Sequence, residues 1–280
     1  MMSHEDLYLS NSGDSHYRLG VNMKIGIIGA MAEEINAIKT KMQVTGERTI
    51  GDRIYYTGIY ESAEITLVFS RWGKVASAST VTTLINEFKS EFVIFTGVAG
   101  AISPILNIGD VVVGDSLYQH DMNATPFFKR CEIPLSGKTF FTPKEEHVQL
   151  AFNASATFLS TLDEHIDSET RLKFLIFNPR SYIGKIASGD QFVTDAAKHE
   201  ALNMEETKET LAVEMEGASV AQICEEHRVL YVIVRTISDK ANHSSHVDFP
   251  AFVTEVASKY SERIVSGIVR GFKCNMRSSE

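Results

Sequence analysis

The chain has 280 residues, 44% hydrophobic and 22% charged, with a formal net charge of -9. That suits one large α/β domain or two small ones, with a sizeable core in either case. The acidic balance, without a long Lys/Arg run, excludes nucleic acid as a natural partner, and no apolar run approaches the roughly 18 residues of a membrane span.

Residues 1–22 are polar and lack the apolar centre of a signal peptide. They read as a flexible N-terminal extension, or as the product of a start codon placed too far upstream, with the folded domain over 23–280. Lys24–Gly29 reads as a first buried strand and Ala32–Met42 as a helix with Ile35, Ile38 and Met42 on one face. Ile54–Tyr60 and Ile65–Ser70 resemble a hairpin around Glu61-Ser62. Lys74–Phe88 is helical. Phe92–Phe95 is a buried strand running into a small-residue turn, Thr96–Gly100, and Val111–Val113 is another strand. Lys144–Leu162 reads as a long helix, Ile183–Ser188 as a strand, and Asp195–Lys198 as a helix start. Leu211–Met215 and Leu230–Arg235 are strands, and Pro250–Phe272 is an amphipathic helix with apolar Phe252, Val256, Tyr260 and Ile264.

Continuous apolar strands interleaved with helices predict a mostly parallel or mixed sheet covered on both faces, in a single α/β domain. Sites in such sheets collect at the carboxyl ends of strands. Candidate polar residues fall there: Glu34, Gly97–Gly100, Asp190, Glu216 and Asp239. Cys131, Cys224 and Cys274 match neither a disulfide framework nor a zinc site, which points to a reducing, cytoplasmic compartment.

Two carboxylates, Glu214 and Glu216, flank Met215 at the end of an apolar run. In extended backbone they point to one side. Like charges there are costly unless hydroxyls, cations or backbone donors satisfy them, which suggests a polar ligand such as a sugar diol. Glu33 and Glu34 open a helix, where acidic charge is favourable in any case. Phe192, beside a polar turn, is either a half-buried loop residue or a stacking platform for a base. Asp239 is either a helix N-cap or a working carboxyl, and Lys240-Ala241-Asn242 is a weak helix start. Gly26-Ile-Ile-Gly29 lacks dinucleotide-binding spacing, and P-loop and G-x-S-x-G patterns are absent. His243, His246 and Asp248 bring no further ligand into view, so no metal is expected.

Taken in order, Gly29-Ala-Met-Ala-Glu-Glu34, Trp72-Gly-Lys-Val75, Thr96-Gly-Val-Ala-Gly100, Gly109-Asp-Val-Val112, Ser188-Gly-Asp190, Val213-Glu-Met-Glu216 and Arg235-Thr-Ile-Ser-Asp239 closely resemble the bacterial 5′-methylthioadenosine/S-adenosylhomocysteine nucleosidases of the nucleoside phosphorylase superfamily. The resemblance runs from about Met23 to the C-terminal helix. It implies a single α/β domain with a central mixed, barrel-like β-sheet surrounded by α-helices, and a homodimer. It also implies a nucleoside and water as substrates, cleavage between adenine N9 and ribose C1′, and no cofactor. By the same resemblance, Asp239 is the acid that protonates adenine N7, and Glu34 the base that activates water. Glu216 binds ribose hydroxyls, Met215 packs on the sugar, and Glu214 orients its neighbours. Phe192 stacks on adenine, and the Val193 backbone reads its polar edge. Gly100 approaches the base, and Arg235 positions the acidic cluster. Phe127 and Phe249 wall the 5′-alkylthio group, and Met31 and Ser238 complete the binding set.

The chain departs from the family pattern at Val98, where Ser is common, and at Trp72, where a smaller aliphatic residue is common. Val98 removes or replaces a Ser contact near the ribose or Glu34, and Trp72 reshapes the sugar end, which leaves the choice of 5′-substituent open. Phosphorolysis is the close alternative, with Arg71 as the nearest cation for phosphate. A related nucleosidase with another 5′ group and a non-catalytic nucleoside-binding protein are the others.

Overall fold

The computed structural model describes residues 23–193, 202, 207–240 and 249–277. The N-terminal extension, the helix expected from Asp195 and the His243–Asp248 segment lie outside them. The strands are β1 (Ile25–Gly29), β2 (Gln43–Ile50), β3 (Arg53–Tyr60), β4 (Ala63–Phe69), β5 (Phe92–Ala101), β6 (Val111–Gln119), β7 (Ser181–Ser188), β8 (Thr210–Glu214) and β9 (Leu230–Asp239). The helices are α1 (Ala32–Lys41), α2 (Lys74–Phe88), α3 (Glu145–Ser160), α4 (Ser168–Lys173), α5 (Gly217–Glu226), α6 (Phe249–Phe252) and α7 (Ser258–Arg277), with a π-helical turn over Val253–Ala257 joining the last two.

Among the described residues the strands form one mixed sheet in the order β2-β3-β4-β1-β5-β8-β7-β6-β9, and β9 also pairs with β5. That pairing closes β5, β8, β7, β6 and β9 into a five-stranded barrel, as the family resemblance implies. The remaining strands extend from β5 through the parallel pairs β5–β1 and β1–β4. The β3–β4 hairpin turns through Glu61 (φ 48°) and Ser62 (φ 61°), the two positive φ values that a tight two-residue hairpin requires.

The apolar runs divide by alternation. Phe92 and Ile94 of β5 face a core shared with α1, α3 and α7, including Ile38, Phe158, Tyr260 and Ile264. Val93 and Phe95 face a second core with α2 and α5, including Val81, Leu84 and Val220. A strand buried on both faces has no polar side, which is why the run reads as continuous.

Two expectations need correction, and one strand was not anticipated. Thr96–Gly100 is not a turn but the continuation of β5, paired in parallel with β9 from Thr96 to Gly100. Its small residues serve close approach rather than reversal. Gln43–Ile50 is a strand with mostly exposed side chains, so no apolar alternation marks it. The strand beginning at Val111 runs on to Gln119 through a register shift between Gly114 and Ser116.

Candidate active site

A cleft of about 850 Å³, counting space open at its mouth, lies where the ends of β5, β7, β8 and β9 converge with the β1–α1 turn and Phe249 of α6. Met31, Gly100, Phe192, Val193, Glu214, Met215, Glu216, Ser238, Asp239 and Phe249 line it. The fold brings together ten of the thirteen expected site residues, drawn from six separate stretches of chain. Of the other three, Glu34 and Arg235 sit behind the lining, and Phe127 stands away from it.

Glu34 lies in the first turn of α1 with no solvent exposure, whereas neighbouring Glu33 is half-buried. Favourable charge at a helix start would not require such burial. The Met31 N–H donates to Glu34 Oε2 at 2.9 Å, and Oε1 has no hydrogen-bond partner among the described residues. Burial pushes this carboxyl up to about 7, against the pull of the Arg235 charge and the Met31 and Ala30 amides. A Cβ on Gly97 would stand 3.5 Å from Glu34 Oε1 and 3.2 Å from Arg235 Nη1. The bare glycine therefore leaves room for both charged groups.

Arg235 is fully buried. Its Nε and Nη2 donate to Glu214 Oε2 at 3.1 and 2.6 Å, and Nη1 donates to the Phe95 and Val234 carbonyls. The guanidinium lies 4.1 Å from the centre of the Phe95 ring. Glu214 also accepts from the Ser188 hydroxyl and from the Glu216 and Gly217 amides. Its charge is thus matched by donors on all sides, as a buried carboxylate requires.

Glu216 is different. β8 ends at Glu214, and Glu216 is the N-cap of α5 with φ -137° and ψ -38°. Both carboxylates line the cleft, but Glu216 does so from a helix cap rather than from extended strand. Glu216 Oε1 accepts from the Gly73 N–H at 2.8 Å. Burial, then the Glu214 charge, push its carboxyl up to about 8. Asp239 ends β9 instead of capping a helix, and Ser238 Oγ donates to its Oδ2 at 2.8 Å.

Phe192 stands edge-on to Phe249, with ring centres 6.4 Å apart. Trp72 and Val98 also line the cleft. Phe127 does not. It is 86% exposed, so within one chain it walls nothing. Gln191 and the Gly73 amide are participants that the residue patterns did not reveal. The amide carries no side-chain signature, although Trp72-Gly-Lys-Val75 stood out as a motif. Among the described residues no His/Cys/Asp/Glu group is disposed to hold a metal, and no helix is long and apolar enough to cross a membrane.

Residues 24–270 match the family model described as Phosphorylase superfamily. The chain is 32% identical over 241 residues to a 5′-methylthioadenosine/S-adenosylhomocysteine nucleosidase of Staphylococcus aureus, covering 86% of this chain and 96% of that protein. Its fold is similar to the S-adenosylhomocysteine nucleosidase of Streptococcus pyogenes solved with 5-methylthiotubericidin (TM-score 0.75, 33% identity, 89% and 97% covered). It is also similar to the futalosine hydrolase of Helicobacter pylori (TM-score 0.74, 33% identity, 89% and 98% covered). The chain belongs to the phosphorylase superfamily and, within it, to the 5′-methylthioadenosine/S-adenosylhomocysteine nucleosidases.

Proposed function

We propose that the protein hydrolyses the N-glycosidic bond of 5′-methylthioadenosine and S-adenosylhomocysteine, and of 5′-deoxyadenosine, releasing adenine and the 5′-substituted ribose. The observation that carries this reading is a division among carboxyls. Glu214 is saturated by Arg235, Ser188 and two amides, whereas Glu34 is buried with one oxygen unpartnered among the described residues. Glu216, at the β8–α5 junction, and Asp239, at the end of β9, line the cleft from either side of β5.

In this scheme the C1′–N9 bond breaks with its electron pair going to adenine, and Asp239 supplies a proton to N7. The sugar becomes oxocarbenium-like, as in other glycoside cleavage. Glu216, held by the Gly73 amide, binds the ribose hydroxyls and gains as positive charge develops opposite it. Water attacks C1′ and yields a proton to Glu34. Solvent exchange then returns that proton and reprotonates Asp239. A base near 7 is matched to work at neutral pH. Glu34 lies behind the Ala30–Met31 lining, so its contact with water is expected to tighten when substrate fills the cleft. Phe192 and Phe249 provide apolar surface for the base and the 5′ group.

Assembly as a homodimer belongs to the same proposal. Phe127 at 86%, Leu135 at 92% and Trp72 at 59% exposure leave apolar surface of the kind that partners cover, and Phe127 would then wall the 5′ end of a neighbouring cleft. The likeness to a futalosine hydrolase supports a second reading, in which the same cleavage acts on a nucleoside with a bulkier 5′ group.

The test is adenine release from methylthioadenosine with and without phosphate, repeated with Asp239→Asn. Phosphate-independent release is expected, together with a loss of roughly 10²- to 10⁴-fold in the folded variant. Release only with phosphate, giving the sugar 1-phosphate, would refute hydrolysis. Near wild-type turnover in the variant would remove Asp239 as the acid. Faster cleavage of futalosine would favour the second reading.

A further inference from the structure

The amide that holds Glu216 comes from a turn secured in an unusual way. Gly73 is the N-cap of α2 and has no side chain to satisfy the first helical amides. Carboxylates from distant parts of the chain, at the α5 cap and just past β7, accept from this turn instead. Gly73 N–H donates to Glu216 Oε1, and Lys74 N–H donates to Asp190 Oδ1, both at 2.8 Å. The Asp190 N–H in turn donates to Asp121 Oδ2 at 2.9 Å. Lys74 Nζ then donates to Asp121 Oδ1 at 2.6 Å and to Gln119 Oε1 at 3.0 Å. The loop of contacts ties the start of α2 to the ends of β6 and β7. Lys74 and Asp121 are only 16% and 17% exposed, which shields the pair from solvent screening. Gly73 adopts φ +92°, and a Cβ there would meet Asp190 Oδ1 at 2.9 Å, so the turn accepts glycine on both conformational and steric grounds. Lys74, Asp121 and Asp190 do not line the cleft.

We propose that Lys74, Asp121 and Asp190 are positioning residues that lock the 72–74 turn, so that the Gly73 amide holds the Glu216 carboxylate on the ribose. The proposal rests on the reading of Glu216 as the ribose ligand. The lock acts at a distance, through one backbone donor, on the group that faces the developing cation. Glu216 is pushed up by burial, Glu214 and Glu34, and pulled down by Arg235 and the Gly73 amide, with Asp239 in the same cleft. Loss of that amide removes a downward pull, so Glu216 would ionise at higher pH.

The test compares wild type, Asp190→Ala, Asp190→Asn, Asp121→Asn and Glu216→Gln on methylthioadenosine and on its 2′-deoxy and 3′-deoxy analogues across pH. Asp190→Ala is expected to lower kcat/KM for the ribonucleoside by about tenfold or more. It should move the acid limb of the profile to higher pH and leave the deoxy analogues nearly unchanged. Asp190→Asn keeps an acceptor oxygen for the Lys74 amide and should retain most of the rate. On a Glu216→Gln background, Asp190→Ala should add little, because both act through one contact. An unchanged ribose-to-deoxyribose ratio and acid limb in a folded Asp190→Ala would overturn the lock while leaving Glu216 as ligand. An unchanged ratio in Glu216→Gln would overturn the reading of Glu216 itself. If Asp190→Ala does not fold, Asp121→Asn and Lys74→Met decide on the same readouts.

Discussion

Glu34 shows how a single carboxyl is tuned by place. It sits where an acid is favourable for the helix, yet burial outweighs the Arg235 charge and two amides, so that its pKa rises to about 7. The folded chain therefore holds a proton that the unfolded chain, with Glu near 4.3, releases. Stability from this group is fully present below about pH 4.3 and is lost as pH rises to about 7; Glu216 extends the loss to about 8. The penalty at Glu34 amounts to roughly 4 kcal/mol once it is ionised. Glu34→Gln should consequently melt higher than wild type at pH 9, melt alike at pH 4.5, and lose most turnover, since an amide takes no proton from water. Melting curves across pH would show this, and parallel pH slopes in the two proteins would mean that Glu34 titrates as an ordinary carboxyl.

At the scale of elements, the site depends on how closely strand ends approach one another. Gly100 pairs with Val213 of β8 and Asp239 of β9, which puts the small-residue end of β5 between the two acidic stretches. Gly189, just past β7, donates its N–H to the Glu214 carbonyl at 3.1 Å, and a Cβ there would fall 2.3 Å from His120 Nε2. His120 is buried and has little room to yield. Gly189→Ala should therefore displace the β7 end with Phe192, costing about 1–3 kcal/mol of stability and raising KM more than it lowers kcat. Denaturant unfolding and steady-state kinetics would check it, and wild-type values for both would show that His120 moves freely. Glycine content made Thr96–Gly100 look like a turn. Pairing along β9 keeps it extended, because the backbone ladder there and the space needed by Arg235 outweigh a weak local preference.

At the scale of the whole molecule, the exposed Phe127 sets a prediction for assembly. The protein should run as a dimer by light scattering, and Phe127→Ala should raise KM for methylthioadenosine severalfold with a smaller change in kcat. A monomer at micromolar concentration with unaltered KM would remove Phe127 from the site. Much of this architecture was legible in the chain itself. Runs such as Phe92–Phe95 and the periodic face of Phe252, Val256, Tyr260 and Ile264 announce strands and helices through burial, the strongest local signal. The acidic motifs likewise carried the family resemblance. The exposed strand Gln43–Ile50 escaped because it buries too little to leave a pattern. By itself the sequence determined the α/β alternation, the acidic candidates and the absence of a basic nucleic-acid surface. Only tertiary structure decided which carboxyl is neutralised by Arg235, which is left with an open oxygen, and that the Gly73 amide grips Glu216. Those outcomes depend on distances and desolvation between residues far apart in the chain, which no local pattern encodes.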